Sequence, residues 1–284
     1  MRACLYVFSL LLMLCFLTGC KENTAPTVEN LQENTPFIVL ASDDYTNLHL
    51  NNPGIPVYDP YTRKERIDKG LSLSLPTLRR TSNEQIVYLT FDDGPDSVNT
   101  PQILDILHRE GVPATFYVVG KNVEAHPDVL RRIYREHHAI GNHSYDHDYN
   151  TVYASPESFL ASIDATDMII HRILGVRPLI LRAPGGETGN FTPAYRELLT
   201  KNGYASHDWN MSNGDATGEA FTAAALLENV RTQLASMTHA SSIILLMHAS
   251  GTQKETVDAL PGIIRLFKDR GYHFGVITPM TPKP

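Results

Sequence analysis

Beyond residue 84 the chain alternates between short β-rich runs and amphipathic runs of helical length, and few architectures accommodate that order. Residues 86–91 form the first apolar run, and a turn signal of Asp, Gly and Pro follows it. About seven such βα units follow one another up to residue 280. Because the apolar runs are continuous rather than alternating, they indicate parallel strands covered by helices. The sequence therefore predicts an α/β fold.

An open doubly wound sheet and a closed barrel are both consistent with this order of elements. Polar residues fall at or just after the ends of five different predicted strands: Asp92, Asp93, His143, Arg182, Asp208 and His248. The strand ends of a barrel surround one pocket on one face, which brings such residues together. We therefore expect an irregular (β/α) barrel of about seven βα units.

The N-terminus has the features of a targeting signal. Arg2 precedes an apolar run over residues 5–17, which is too short to span a bilayer comfortably. The run ends in Leu17-Thr18-Gly19-Cys20, which resembles the lipobox of bacterial lipoproteins, where the chain is cut before the Cys and its thiol is acylated. We predict a signal peptide over 1–19 and a lipid on Cys20 that anchors the protein outside the cytoplasm, at the cell membrane. An uncleaved anchor and an ordinary secretory signal are the alternatives.

Residues 20–83 are predicted to be a flexible tether and N-terminal extension, because 21–36 is polar and contains two prolines. A small β appendage packed on the main domain, within 37–76, is an alternative. The catalytic domain is expected over 84–280. The net charge of −7 argues against a nucleic-acid partner, and nothing indicates an obligate protein partner. All three cysteines lie in the first 20 residues, so a cysteine-based zinc site in the domain is excluded.

Two short segments carry potential metal ligands. His143 and His147 lie four residues apart, so that on a helical turn they would share a face, and Asp92-Asp93 follows the first strand. Each segment alone is weak evidence, because such residues also occur in solvated turns. Together, two histidines and one carboxylate form the pattern of a hydrolytic zinc site with open coordination positions. The second carboxylate could then take a proton from the attacking water.

Five segments occur in the order of the five motifs of polysaccharide deacetylases, the NodB-like proteins of carbohydrate esterase family 4. They are Thr90-Phe91-Asp92-Asp93-Gly94-Pro95, His143-Ser144-Tyr145-Asp146-His147, Arg182-Ala183-Pro184-Gly185-Gly186, Asp208-Trp209 and Leu246-Met247-His248. The chain resembles this family over residues 84–280. The resemblance implies an irregular (β/α) barrel and metal-dependent removal of N- or O-acetyl groups from a glycan.

The resemblance also implies roles for the residues on the metal side of the site. Asp92 would be the catalytic base, and Arg182 would pair with it and hold its orientation. Asp93, His143 and His147 would bind the metal. Zinc suits two histidines and one aspartate best, although cobalt or nickel would also fit.

On the opposite side, His248 would be the general acid, with Asp208 bonded to its imidazole and orienting it. The backbone N–H of Gly185 would face the oxyanion, and Trp209 and Leu246 would line the pocket for the acetyl methyl group. Gly185 is itself a departure, because many members have Tyr after the Pro of the third motif. The glycine keeps the backbone donor and removes a side-chain wall, which leaves substrate preference open.

Location favours one substrate. A lipid-anchored protein faces the cell wall, so we expect N-acetylglucosamine of peptidoglycan to be deacetylated. Chitin, poly-N-acetylglucosamine and acetyl-xylan are alternative substrates. Two other functions stay open, a hydrolase of small amides and a non-catalytic glycan-binding lipoprotein. Asp215, in an Asn-Gly-Asp turn, is assigned no role.

Overall fold

The computed structural model of the chain describes residues 38–49, 53–76, 84–217, 222–237, 241–251 and 253–283. The predicted signal peptide, Cys20 and the polar segment that follows lie outside these residues. In the part that is described, no helix is long and apolar enough to cross a membrane.

Short strands and helices alternate along the described ranges. The strands are β1 (Val39–Leu40), β2 (Val57–Asp59), β3 (Ile86–Asp92), β4 (Thr115–Val118), β5 (Ala139–Asn142), β6 (Arg177–Pro178), β7 (Ile180–Leu181), β8 (Ala205–Ser206), β9 (Met211–Ser212), β10 (Ser242–His248) and β11 (His273–Gly275). The α-helices are α1 (Arg63–Asp68), α2 (Asn99–Glu110), α3 (Gly120–Ala125), α4 (Pro127–Arg135), α5 (Tyr149–Val152), α6 (Pro156–Leu174), α7 (Pro193–Lys201), α8 (Ala223–Ser236) and α9 (Lys254–Asp269), and a single 3-10 helix among the described residues spans Thr46–His49.

The main sheet is parallel and has the order β8-β7-β5-β4-β3-β10-β9. Its central strand β3 pairs with β10 along its whole length. On its other side, β3 pairs with β11 through Ile86–Tyr88 and with β4 through Thr90–Asp92. Within the described ranges the edge strands β8 and β9 do not pair with each other, so the barrel stays open. The predicted irregular (β/α) barrel is confirmed.

Side-chain alternation along β3 explains how the barrel positions its site. All seven residues of the strand are buried. Val87, Leu89 and Phe91 belong to the core beneath the helices, whereas Ile86 and Tyr88 belong to the cluster on the other face. Because successive side chains point to opposite faces, Asp92 continues the inner set at the carboxyl end of the strand.

The N-terminal extension is folded where it is described. Strand β1 pairs with β2 in parallel, and β2 pairs with β6 antiparallel, forming a second small sheet. The buried hydroxyl of Tyr58 donates to the carbonyl of His138 and accepts from the backbone N–H of Ile140, at 3.1 and 3.0 Å. The segment predicted to be flexible, 21–36, lies outside the described residues, so these contacts concern only the extension at 38–49 and 53–76. The observed arrangement is the β appendage that the sequence left as an alternative.

A buried charge cluster joins this extension to the barrel. Oδ2 of Asp59 accepts from Nε of Arg66 at 2.6 Å and from Nη2 of Arg177 at 2.8 Å, and all three side chains are fully buried. The hydroxyl of Tyr45 also donates to this oxygen. Buried charges are tolerated only when they are paired and hydrogen-bonded. Asp59 is the anion that both buried arginines share.

Within the barrel the predicted elements are present, with ends that differ by a few residues. The structure adds three short elements without a clear pattern in the sequence, namely α3, α5 and β9. Each has six residues or fewer, which is too short for hydrophobic periodicity to be read. Two of them, α5 and β9, carry or precede residues of the site.

Candidate active site

Asp92 lies at the end of β3 with only 2% of its surface exposed. Its Oδ1 accepts a 2.8 Å hydrogen bond from Nη1 of Arg182, which also donates to Oγ1 of Thr90. The guanidinium is fully buried, donates from Nε to the carbonyl of His207, and stacks 4.2 Å from the centre of the Tyr117 ring. With Oδ1 held in this way, Asp92 is fixed in orientation and keeps Oδ2 for other contacts.

Next to Asp92, the three predicted metal ligands come together. Nε2 of His143 lies 3.6 Å from Oδ1 of Asp93, and Nε2 of His147 lies 3.5 Å from the same oxygen. Their potential ligand atoms all lie within 4.8 Å of one another. Nδ1 of His143 is 2.8 Å from the carbonyl of Arg182, which only accepts, so Nδ1 carries the proton and Nε2 keeps its lone pair. Burial lowers the pKa of His143, which favours the neutral form that a ligand needs.

The distances within this cluster test whether it fits an ion. Separations of 3.5 and 3.6 Å are too long for good hydrogen bonds. Two ligand atoms at ~2.1 Å from a zinc ion in tetrahedral geometry are roughly 3.4 Å apart, so the residues fit a divalent metal. Their role as ligands stays a prediction.

The histidine spacing does not come from a helical turn, contrary to the expectation from the sequence. The segment between His143 and His147 is an irregular loop. Ser144 and His147 have φ values of 69° and 58°, in the left-handed region, and Oγ of Ser144 accepts from the backbone N–H of His147 at 3.2 Å. This loop, together with a φ of 71° at Asp93, turns the three side chains toward one another.

His248 lies at the end of β10, in register with Asp92 on the neighbouring strand. Its Nδ1 is 2.7 Å from Oδ1 of Asp215, whose Oδ2 accepts from the backbone N–H of His248 and from Oγ1 of Thr256. Burial by itself lowers the pKa of His248, but the hydrogen bond and the charge of Asp215 outweigh it and raise the pKa to about 9. The imidazole is therefore protonated at neutral pH, as a proton donor must be.

The prediction that Asp208 orients His248 is wrong, because Asp215 occupies that position. Both carboxylate oxygens of Asp208 accept from the backbone N–H of Glu187, at 3.0 Å each. The reason lies in the sheet. Strand β9 pairs with β10 as far as Leu246, two residues before β10 ends at His248. The turn that follows β9 therefore places Asp215 beside His248. Asp208 instead follows β8, at the other end of the strand order.

A glycine loop and two apolar side chains form another wall of the site. Gly185 and Gly186 have φ values of 70° and 85°, and among the described residues none accepts a hydrogen bond from the N–H of Gly185. A Cβ atom on Gly186 would lie 3.1 Å from the ring of Trp209, so the indole packs on this loop. Leu246 shares the inner face of β10 with Ile244 and His248. The roles of Gly185 as oxyanion donor and of Trp209 and Leu246 as the acetyl pocket stay predictions.

Comparison with known proteins identifies the family of this chain. The sequence profile described as polysaccharide deacetylase matches residues 79–207. A peptidoglycan-N-acetylglucosamine deacetylase of Bacillus cereus is 33% identical over 200 residues, which cover 70% of this chain and 69% of that protein. The chain belongs to the polysaccharide deacetylase family. It is therefore a hydrolase that removes acetyl groups from a glycan.

Solved structures support the same assignment for the deacetylase. A carbohydrate esterase family 4 esterase of Streptococcus mutans is 33% identical with a TM-score of 0.65, over 74% of this chain and 94% of that one. The catalytic domain of a peptidoglycan N-acetylglucosamine deacetylase from Eubacterium rectale is 28% identical, also with a TM-score of 0.65, over 73% and 95% of the two chains.

Sequence reasoning missed two residues of the deacetylase site, Asp215 and Tyr149. Tyr149 begins the short helix α5, and its ring lies edge-on to His147 with centroids 5.5 Å apart. Burial and, to a smaller extent, the charge of Asp93 raise the pKa of Tyr149. The signal for Asp215 was its position one turn beyond Met211–Ser212, an apolar-polar pair too short to be recognised as a strand. For Tyr149 the only signal was its position two residues after a predicted ligand.

Proposed function

We propose that the deacetylase removes N-acetyl groups from N-acetylglucosamine residues of peptidoglycan, with a divalent metal at Asp93, His143 and His147. The observation that carries the proposal is that Asp92 and His248 end neighbouring strands in register beside this cluster. A carboxylate and an imidazole with separate partners can act as a base and an acid. Relatives named as peptidoglycan-N-acetylglucosamine deacetylases support the choice of substrate.

Asp92 acts as the base. Arg182 binds its Oδ1, which leaves Oδ2 facing His143 at 3.7 Å and free to accept a proton from the attacking water. The chemistry that a divalent ion supplies when bound there is polarisation of the acetyl carbonyl and activation of water, and zinc is the metal we propose. Cobalt and nickel remain candidates because they accept the same donor set.

His248 acts as the acid. An amide releases a poor leaving group, so the amine nitrogen must be protonated as the C–N bond breaks. Nδ1 of His248 is bonded to Asp215, which leaves Nε2 as the atom that delivers the proton. The backbone N–H of Gly185 donates to the oxygen that gains negative charge, and Trp209 and Leu246 hold the acetyl methyl group.

We propose an extracytoplasmic location because the apolar N-terminal run ends in the lipobox-like segment Leu17-Thr18-Gly19-Cys20. In this proposal residues 1–19 are a signal peptide, and a lipid on Cys20 anchors the deacetylase to the cell membrane. The polymer within its reach is then the peptidoglycan. Replacing Cys20 with Ser and following the protein between membrane and soluble fractions, with labelled palmitate as the probe, tests the anchor.

Acetate release tests the enzymatic proposal. Residues 21–284 would be stripped of metal, supplied with zinc, and incubated with N-acetylglucosamine oligomers or purified peptidoglycan, with Asp92→Asn as the inactive control. We expect zinc-dependent release of acetate from both, which Asp92→Asn abolishes. Zinc binding without release from either glycan would refute the substrate, and acetyl-xylan would be tested next. Absence of zinc binding would refute the catalytic proposal and favour a glycan-binding lipoprotein.

A further inference from the structure

Tyr149 occupies the space that a side chain at position 185 would need. A Cβ atom on Gly185 would overlap the hydroxyl oxygen of Tyr149 and would lie 3.2 Å from two of its ring atoms. A side chain at 185 would therefore require the phenol to move from its observed position. Gly185 is also the position at which many members of the resembled family have a tyrosine. In this chain a phenol reaches the same place from a different segment.

The phenol is held from two sides. Its ring lies edge-on to His147, and its other neighbour is Tyr153, with ring centroids 5.8 Å apart. Tyr153 in turn donates a 2.6 Å hydrogen bond to the carbonyl of Pro184, next to Gly185. Tyr149 is thus placed between a predicted metal ligand and the glycine loop.

The hydroxyl of Tyr149 is nevertheless free. Among the described residues none forms a hydrogen bond with it, and 47% of the residue surface is exposed. A core tyrosine normally buries its ring and pairs its hydroxyl. A half-exposed phenol beside a predicted ligand and an oxyanion donor instead presents its hydroxyl to whatever binds in the site.

We infer that Tyr149 replaces the missing side-chain wall at Gly185 and positions the substrate by donating a hydrogen bond to an oxygen of the sugar that carries the acetyl group. This inference rests on the proposed function, because it concerns the glycan bound in that site. The ring closes the wall above Gly185, and the hydroxyl selects a sugar over a bare acetyl compound. Tyr149 is therefore a specificity-determining residue at the start of α5, in a segment that the five motifs do not contain.

Tyr149→Phe tests the hydroxyl alone, because the ring contacts with His147 and Tyr153 remain. We expect KM for N-acetylglucosamine oligomers to rise about 3- to 10-fold with kcat within about 2-fold, since the loss is one neutral hydrogen bond to bound substrate. Zinc affinity, measured separately, should not change. Tyr61→Phe is the matched control, because Tyr61 lies in the N-terminal extension between β2 and α1, outside the site, and it should leave both constants unchanged.

A double-mutant cycle tests the exclusion between the two positions. Gly185→Ala in the natural chain introduces both a left-handed non-glycine residue and the overlap with Tyr149. In the Tyr149→Ala background only the backbone strain remains. We expect Gly185→Ala to reduce kcat/KM at least 5-fold less in that background than in the natural chain. Additive effects would overturn the inference.

The outcomes separate this inference from the proposed function. If the natural chain releases acetate and Tyr149→Phe leaves KM unchanged, the role of Tyr149 is refuted and the deacetylase stands. If Tyr149→Phe instead lowers kcat with KM unchanged, the hydroxyl acts on the reaction rather than on sugar binding, which also refutes it. If the natural chain releases no acetate from any oligomer, the proposed function fails and this inference fails with it.

Discussion

Replacing Asp215 with Asn should make the activity much more sensitive to alkaline pH. The bond from Nδ1 of His248 to Asp215 is 2.7 Å long, and the carboxylate is the main reason that the pKa of His248 is raised to about 9 from an ordinary 6.5. Asparagine keeps the size of the side chain and removes its charge. The remaining burial lowers the pKa of His248 while the charges of Asp92 and Asp93 raise it, so we expect the pKa to return to about its ordinary value of 6.5.

The size of the effect follows from the protonated fraction of His248. At pH 7.5 a group with a pKa of about 9 is about 97% protonated, whereas one with a pKa of about 6.5 is about 9% protonated. Because the acid must be protonated, kcat/KM at pH 7.5 should fall about tenfold. The alkaline limb of the pH profile should move down by about 2 units or more.

The assay is acetate release from N-acetylglucosamine oligomers between pH 6 and 10, with zinc supplied. Asp208→Asn is the matched control, because it makes the same chemical change on a carboxylate that bonds the backbone of Glu187 instead of His248. Its alkaline limb should stay in place. A limb that moves in Asp208→Asn and not in Asp215→Asn would refute the assignment of the acid's partner.

Three further predictions concern other parts of the molecule. Asp59→Asn should lower the free energy of unfolding by about 3–5 kcal/mol in urea denaturation, because it leaves the buried guanidiniums of Arg66 and Arg177 without their shared anion. His147→Asn should weaken zinc binding, measured by competition with a chelator, by at least about 100-fold, since asparagine tolerates the left-handed backbone but removes the imidazole. Arg182→Lys should lower kcat at least about tenfold in the acetate assay, because an ammonium lacks the planar fork that bonds several acceptors at once.

Each of these has an outcome that would count against it. For Asp59 the control is Asp68→Asn, which removes an exposed pair with Lys64 and should cost less than about 1 kcal/mol; equal losses would contradict the buried cluster. Unchanged zinc affinity in the His147 variant would remove that histidine from the ligand set. Full activity in the Arg182 variant would mean that Asp92 does not need its fixed orientation.

The barrel and most of the site could be predicted because the relevant signals are local. The apolar run over 86–91 predicts that Asp92 lies at the end of a strand. The His and Asp residues at predicted strand ends predict the ligand cluster. The partner of His248 could not be predicted, because it depends on the two-residue strand β9 and its pairing with β10. The resemblance to the family's fourth motif suggested Asp208, whereas the sheet register places Asp215 beside His248.

The extension shows a different reason for failure. Residues 38–76 contain few apolar residues in regular order, so hydrophobic periodicity predicts no element there. Their order comes from pairing with β6 and from the charge of Asp59, both of which involve residues more than 100 positions away. Such contacts leave no local trace in the sequence. Tyr149 was missed for a similar reason, since its link to Gly185 exists only in three dimensions.

The charge cluster at Asp59 also limits where the chain can be cut if the catalytic barrel is to be produced or transferred alone. A chain trimmed to the predicted domain, from residue 84 on, would keep Arg177 and its 3.6 Å contact with Asp167, but would lose Asp59, the hydroxyl of Tyr45 and strand β2. Arg177 lies in β6, four residues before Leu181, the last residue of β7, and Arg182 follows directly. The buried cation would thus lose its shorter ion pair five residues before the arginine that orients the base. Grafting this barrel into another protein, or shortening it, has to include residues from 38 onward.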